Sequence, residues 1–166
     1  MAPRDLEYVD LFAGAGGLSV GLENAGFDLV HAVEVDDDAR ETFADNRDGW
    51  TASDVTGDIR DVDKDEIASV VGQGSVDLVA GGPPCQGFSE VVSPDGSDDR
   101  NHLFTYFVNW VHELEPDAAL FENVRGIQNT AGGKFLTAVK ESFSQMGYNV
   151  THRVVTASEF GVPQHR

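Results

Sequence analysis

Basic residues are scarce in this chain of 166 residues, in which 11 lysines and arginines stand against 29 aspartates and glutamates. The formal net charge is -18, and such a surface repels nucleic acid at ordinary ionic strength. In molar salt the Debye length is only about 3 Å, and an acidic surface then keeps a protein soluble. Because the acidic residues are spread over the whole chain, we expect a halophilic type of acidic surface, which leaves a DNA partner open.

Cysteine is almost absent, and so are long apolar runs. One cysteine, Cys85, cannot form an internal disulfide, which is typical of a reducing cytoplasm. No apolar run is long enough to span a bilayer, and the first residues lack the apolar core of a signal peptide. The histidines are scattered without ligand spacing, so no metal site is predicted. We therefore expect a cytoplasmic protein without a resident metal.

Short apolar runs alternate along the chain with segments of helical periodicity. The predicted strands are 8–12, 29–35, 76–80, 118–121 and 148–155, and a further, poorly marked strand is expected to fall between residues 51 and 59. The predicted helices are 18–25, 38–46, 63–71, 103–114 and 134–146. This alternation predicts an α/β fold with a doubly wound, mostly parallel sheet. The sequence reaches residue 166 without a closing helix or strand, so we expect the fold to be incomplete at its C-terminus.

The segment 81–89, Gly-Gly-Pro-Pro-Cys-Gln-Gly-Phe-Ser, follows the apolar run 76–80. Ligands of open α/β sheets bind outside the carboxyl ends of the strands, where this segment begins. Proline fixes φ and restricts the residue before it, so the backbone on the N-terminal side of Cys85 is stiff. A rigidly held thiol at a strand end is a candidate nucleophile. A free cysteine is as often a small buried hydrophobe, and both interpretations stand at this point.

Other polar groups fall at the same predicted sheet edge. The glycines of the loop 14–17 follow the first strand and let an anion or carboxylate approach the backbone. A dinucleotide fingerprint would need glycine where Ser19 stands, so a nicotinamide cofactor fits poorly. Glu34 ends the second strand about twenty residues later, where a carboxylate accepts hydrogen bonds from ribose hydroxyls. Asp58 adds an acceptor suited to an exocyclic amine such as that of adenine.

Glu122 directly follows the apolar strand 118–121 and is expected at the same edge as Cys85. A carboxylate in such a place is costly unless it is used or paired. Side by side, a thiol and a carboxyl group form a nucleophile and acid pair. The alternative is that Glu122 only holds a loop.

These segments together resemble the catalytic domain of the DNA cytosine-C5 methyltransferases. The matching stretches are DLFAGAGG (10–17), EVD (34–36), GDI (57–59), GGPPCQGFS (81–89), DDRNHLF (98–104), FENVRGI (121–127) and FGVPQHR (160–166). They occur in the family's order and with similar spacings. The resemblance implies a Rossmann-like S-adenosylmethionine-dependent methyltransferase domain over residues 1–166. It also implies that this domain is partial, since the family's target-recognition domain and returning C-terminal helix are not present.

The resemblance implies a set of site residues. The cofactor S-adenosylmethionine would be bound by Phe12, Ala13, Gly14, Gly16, Gly17, Glu34, Asp58, Ile59, Pro83 and Leu103. Phe12 would stack on the adenine, and Glu34 would hold the ribose. Contacts to DNA would come from Gln86, Ser89, Arg100 and Gln164.

The implied reaction acts on a cytosine flipped out of duplex DNA, because its C5 and C6 are inaccessible inside the stack. The thiolate of Cys85 would add to C6, while Glu122 would protonate N3. The methyl group would then pass to C5, and Cys85 would leave after loss of the C5 proton. Arg166 would help to orient the base.

Several interpretations stay open at this level. Because the cofactor pocket and the DNA cleft would both be unfinished, we expect the chain alone to be inactive and a second polypeptide to supply the target-recognition domain. The alternatives are an inactive truncated remnant, an RNA (tRNA) cytosine-C5 methyltransferase, and a non-enzymatic nucleotide-binding module. A nucleotide-binding module would not explain why Cys85 and Glu122 occur at the same predicted sheet edge.

Overall fold

The structure, a computed structural model, describes residues 5–70, 76–84 and 103–164. The chain divides into two compact units, Met1–Val124 and Arg125–Arg166. The strands of the first unit are β1 (Leu6–Leu11), β2 (Phe27–Val33), β3 (Leu78–Gly81) and β4 (Ala118–Phe121). Its helices are α1 (Gly17–Asn24), α2 (Asp37–Asp45), α3 (Lys64–Val70) and α4 (Leu103–Leu114). The second unit contains α5 (Lys134–Gln145) and short 3₁₀ turns.

The four strands form one parallel sheet in the order β2-β1-β3-β4. From β1 the chain moves outward to β2, and it then returns to the other side of β1 to form β3 and β4. The direction of winding therefore reverses between β1 and β3, and the carboxyl ends of these two strands flank the crevice where such sheets bind ligands. The predicted doubly wound parallel sheet is confirmed.

The core lies on both faces of the central strands. All four residues of β3 are buried, as a parallel strand covered on both faces requires. The residues that α4 buries recur every three to four positions, which gives the helix one apolar face. They are Phe104, Phe107, Trp110, Val111 and Leu114. Burying each large apolar side chain stabilises the fold by roughly 1.5–3 kcal/mol.

The strand predicted between residues 51 and 59 is not formed as a continuous element. This segment makes one isolated parallel bridge, between Thr56 and Val33, and 3₁₀ turns at Ala52–Asp54 and Ile59–Asp61 flank the bridge. The carboxylates of Asp54 and Asp58 accept hydrogen bonds from local backbone amides, so the turns compete with a longer ladder. The bridge still places this segment beside β2.

The strand predicted over 148–155 is also wrong, because the described structure assigns no strand there. Residues 151–155 are exposed, and the side chains of Val154 and Val155 are 42% and 52% accessible. Alternating apolar residues favour a strand only where a neighbouring strand completes the hydrogen-bond ladder. In the described part of the second unit the buried apolar residues are instead Phe135, Val139 and Phe143 of α5 and Ile127 of a 3₁₀ turn.

Candidate cofactor and catalytic site

The loop between β1 and α1 has an unusual backbone. Phe12, Gly14 and Gly16 have φ angles of 61°, 56° and 89°. The amide of Ala13 donates to the Val33 carbonyl at 3.0 Å, and the amide of Gly16 donates to the Ala13 carbonyl at 2.9 Å. A positive φ is uncommon for a bulky residue such as Phe12, and such strain is concentrated at functional sites. The loop is therefore held tightly at the carboxyl end of β1.

The predicted loop residues face in different directions. The Ala13 side chain is buried in a cluster with Ala32, Phe43 and Val55, so it packs inward. A Cβ added to Gly14 or Gly17 would meet no atom within 4 Å, whereas one added to Gly16 would clash with neighbouring side chains. Open space for a ligand therefore lies beside Gly14 and Gly17, and Gly16 is required for packing inside the protein.

Glu34, the first residue after β2, binds the glycine loop. Its Oε2 accepts a hydrogen bond from the Gly14 amide at 2.8 Å, and its Oε1 accepts one from the Asp36 amide at 2.9 Å. Each carboxylate oxygen has two lone pairs, so both atoms can accept one more hydrogen bond. Glu34 therefore fixes the loop and still offers acceptors to a pair of hydroxyl groups.

Asp58 lies at the start of the 3₁₀ turn that follows the Thr56 bridge. Its carboxylate accepts from the Arg60 amide at 3.0 Å and from the Arg60 Nε at 2.9 Å. Hydrogen bonds from the Arg60 side chain lower the pKa of Asp58 below its ordinary value. Ile59 is buried, with 3% of its surface accessible. An exocyclic amine at Asp58 would therefore share a carboxylate that already binds a guanidinium group.

Glu122 lies beside the segment that leads to residue 85. Its amide donates to the Gly81 carbonyl at 2.9 Å, which continues the pairing of β3 with β4. A Cβ added to Gly82 would lie 2.8 Å from Glu122 Oε2, so the carboxylate packs against bare backbone. The Asn123 side chain donates to the Pro83 carbonyl at 2.8 Å and ties the two strand ends together.

The remaining predicted site residues are distributed as follows. Cys85, Gln86, Ser89, Arg100 and Arg166 lie outside the described residues. Leu103 is half-buried at the first position of α4. Gln164 is exposed in the second unit, where its carbonyl accepts from the Ser158 amide at 3.1 Å.

One buried acidic residue, Asp10 on β1, was not predicted from the sequence. Asp10, only 1% exposed, accepts a hydrogen bond from the Ser19 hydroxyl at 2.5 Å, and its other oxygen, Oδ1, is buried without a partner. Burial raises the pKa of Asp10 to about 6, although the Ser19 hydrogen bond opposes this change. A charged residue inside the apolar run of β1 was the signal that could have revealed it.

We expect Asp10→Asn to stabilise the protein at neutral pH. The folded pKa lies above the unfolded value, so folding stability falls as pH rises from about 4 to about 6 and stays reduced above that range. A difference of about two pKa units corresponds to at most about 3 kcal/mol. Asparagine removes the charge and retains an acceptor for Ser19. Denaturant unfolding between pH 4 and 8 tests this, with the exposed Asp48→Asn as control; a less stable Asp10→Asn protein at pH 7 would contradict it.

Comparison with known proteins identifies the fold's family. The family model for C-5 cytosine-specific DNA methylases matches residues 6–166. The chain belongs to this family. The Type II methyltransferase M.XorII of Xanthomonas oryzae is 43% identical over 162 residues, covering 95% of this chain and 38% of its own length. M.AgeI of Thalassovita gelatinovora is 38% identical, covering 97% of this chain and 38% of its own length. This member of the methylase family thus spans about two fifths of the length of these relatives.

Solved structures agree with the family fold. A prophage-encoded candidate DNA modification methyltransferase of E. coli superposes with a TM-score of 0.78 at 36% identity, covering 95% of this chain and 43% of that one. The S. pombe Dnmt2 methyltransferase gives a TM-score of 0.77 at 23% identity and covers 97% of this chain and 48% of that one. At that identity, the second likeness supports the fold alone.

Within residues 5–70, 76–84 and 103–164, no cluster of three or more His, Cys, Asp or Glu side chains could hold a metal ion. No helix in these ranges is long and apolar enough to cross a bilayer.

Proposed function

We propose that the chain is the S-adenosylmethionine-binding catalytic part of a DNA cytosine-C5 methyltransferase. One observation carries this proposal: Glu34 holds the glycine loop at the reversal point of a parallel sheet, in a chain that belongs to the methylase family. The same sheet edge carries Asp58 and Glu122. A fold of this type hosts many functions, so the proposal depends on this arrangement of residues and on the family, not on the fold alone.

The residues at the sheet edge fit the cofactor. Open space beside Gly14 and Gly17 admits a ligand to the backbone, and the N-terminus of α1 favours its carboxylate. Glu34 would accept from the ribose hydroxyls, Asp58 from the adenine amine, and the half-buried Phe12 ring would stack on the base. When bound, the cofactor supplies an electrophilic methyl group.

We further propose a covalent mechanism in which the target base is flipped out of the duplex. The Cys85 thiolate forms a bond to C6, and Glu122 donates a proton to N3, which makes C5 nucleophilic. After C5 has accepted the methyl group, a base removes the C5 proton, and the bond between Cys85 and C6 breaks to release the thiolate. The N3 proton then returns to the Glu122 carboxylate. The position of Glu122 against Gly82, three residues before Cys85, supports this pairing of nucleophile and acid.

Family membership favours DNA as the substrate. The acidic surface would repel DNA at low salt, but high salt would screen this repulsion. Sequence-specific contacts require base-edge readout, which we propose comes from a target-recognition part supplied by a second polypeptide or a further segment. The RNA alternative gains no support from the S. pombe structure, because that likeness concerns only the fold.

The cofactor site is tested by titrating S-adenosylmethionine into the folded chain in molar KCl. We expect saturable binding that weakens at least about tenfold in Glu34→Ala, because charge-assisted hydrogen bonds contribute roughly 1.5–3 kcal/mol each. The matched control is Glu41→Ala, which removes an exposed carboxylate on α2. Equal affinity of wild type and Glu34→Ala would overturn this assignment of Glu34.

A further inference from the structure

Arg47 lies just beyond the end of α2, and its guanidinium group is buried in a strongly acidic protein. Only 6% of its side chain is exposed. Its Nε donates to Glu23 Oε1 at 2.9 Å and its Nη2 to Glu23 Oε2 at 3.2 Å. Its Nη1 donates to the Phe43 carbonyl at 2.9 Å, and its Cζ lies 3.7 Å from the centre of the Phe43 ring. These contacts connect the end of α2 with α1.

The same guanidinium group contacts the glycine loop. Nη2 makes a long hydrogen bond of 3.5 Å to the Gly16 carbonyl. A Cβ added to Gly16 would lie 2.6 Å from Arg47 Nη1 and 2.9 Å from Phe43 Cδ2. The Gly16 backbone, at φ 89°, therefore packs directly on the stacked Arg47 and Phe43 side chains. Arg47 thus supports the loop at Gly16, whereas the space beside Gly14 is open.

We propose that Arg47 is a positioning residue that holds the glycine loop in its cofactor-binding conformation. Its role toward S-adenosylmethionine rests on the function proposed above, whereas its effect on the loop can be measured without any ligand. The planar guanidinium group of Arg47 donates two nitrogens to the Glu23 carboxylate and also reaches two backbone carbonyls. The single ammonium group of a lysine could not make all of these contacts, so lysine would not replace Arg47.

Stability alone does not account for this residue. Only the Arg47 guanidinium group is taken out of water, since the Glu23 side chain is 35% exposed, and this desolvation costs free energy. Replacing both partners of such a pair by apolar residues is often neutral or stabilising. Removing Arg47 alone leaves a carboxylate that still reaches water. If Arg47 served only to stabilise the fold, removing both charges would restore the stability that is lost when Arg47 alone is replaced. It would not restore the hydrogen bond that supports the Gly16 carbonyl.

The experiment compares Arg47→Met with the double variant Glu23→Leu/Arg47→Met and uses the exposed Arg153→Met as control. Denaturant unfolding measures stability, amide hydrogen exchange measures the order of residues 12–18 without ligand, and calorimetry measures the affinity for S-adenosylmethionine. We expect the double variant to unfold near the wild-type midpoint. Its loop amides should exchange at least about tenfold faster, since they lose native support, and its cofactor affinity should fall at least about fivefold.

Each outcome decides the proposal. A double variant with wild-type exchange in the loop overturns it, whatever the cofactor measurement gives. If the wild type binds the cofactor and the double variant shows faster exchange in residues 12–18 but unchanged cofactor affinity, the proposal that loop order controls cofactor binding is overturned. If the wild type binds no cofactor, the proposed function fails, and exchange in the loop still decides whether Arg47 positions it. Should Arg47→Met fail to fold, the double variant supplies the comparison.

Discussion

Gly81→Ala is expected to prevent the first unit from folding. Gly81 pairs with Leu11 of β1 on one side and with Phe121 of β4 on the other. An added Cβ would lie 2.2 Å from the Leu11 carbonyl oxygen and 3.0 Å from the Leu11 carbonyl carbon. These are backbone atoms of a paired strand and cannot move without breaking the ladder. We expect a loss above about 4 kcal/mol, which is comparable with the stability of a small domain.

The matched control for this substitution is Gly21→Ala. Gly21 lies inside α1, and a Cβ added there meets no atom within 4 Å. Because alanine favours helix and glycine does not, this variant should be more stable by roughly 0.5–1 kcal/mol. Circular dichroism and denaturant unfolding of the two variants measure the difference. A Gly81→Ala protein that unfolds near the wild-type midpoint would show that the sheet can open at this position.

Elements with strong apolar periodicity could be predicted from the sequence. The helix over 103–114 and the strand over 118–121 have the predicted bounds. The helix repeats apolar residues along one buried face, and the strand is a short apolar run bounded by Asp117 and Glu122. Other ends differ by one or two residues, as at β1 and β2. The segments 51–59 and 148–155 could not be predicted, since local capping by aspartates and the need for a neighbouring strand outweigh intrinsic strand preference.

The placement of three candidate residues at one sheet edge could also be predicted from the sequence. Glu34, Asp58 and Glu122 follow strand-like segments, and parallel strands bring their carboxyl ends to one edge. The Ser19 contact of Asp10 and the Glu23 contact of Arg47 were not predictable, because they join residues 9 and 24 positions apart. The first contact depends on the packing of α1 against β1, and the second on the packing of α1 against the end of α2. No local pattern records which side chains two packed elements will bury together.

Glu122→Gln is expected to lower methyl transfer by a factor of about 10²–10⁴, the usual contribution of a positioned acid. Glutamine has a similar size but cannot deliver a proton to N3 of cytosine, whereas cofactor binding should be unchanged. Transfer of a labelled methyl group to duplex DNA measures the effect. We expect no transfer by the chain alone, so the assay adds the target-recognition part proposed above. The exposed Glu141→Gln on α5 is the control, and a Glu122→Gln rate equal to wild type would exclude Glu122 as the acid.

Gly82→Ala tests the position of the same carboxylate without changing its chemistry. The added Cβ would lie 2.8 Å from Glu122 Oε2, which is the free end of a flexible side chain and can move away. Stability should therefore change by less than about 1 kcal/mol, while methyl transfer should fall at least about tenfold, because a small displacement of a catalytic group is costly. Since glutamate is still present, a loss of rate in a stable protein would show that its placement against bare backbone matters. A wild-type rate in Gly82→Ala, combined with an inactive Glu122→Gln, would mean that DNA binding repositions the carboxylate.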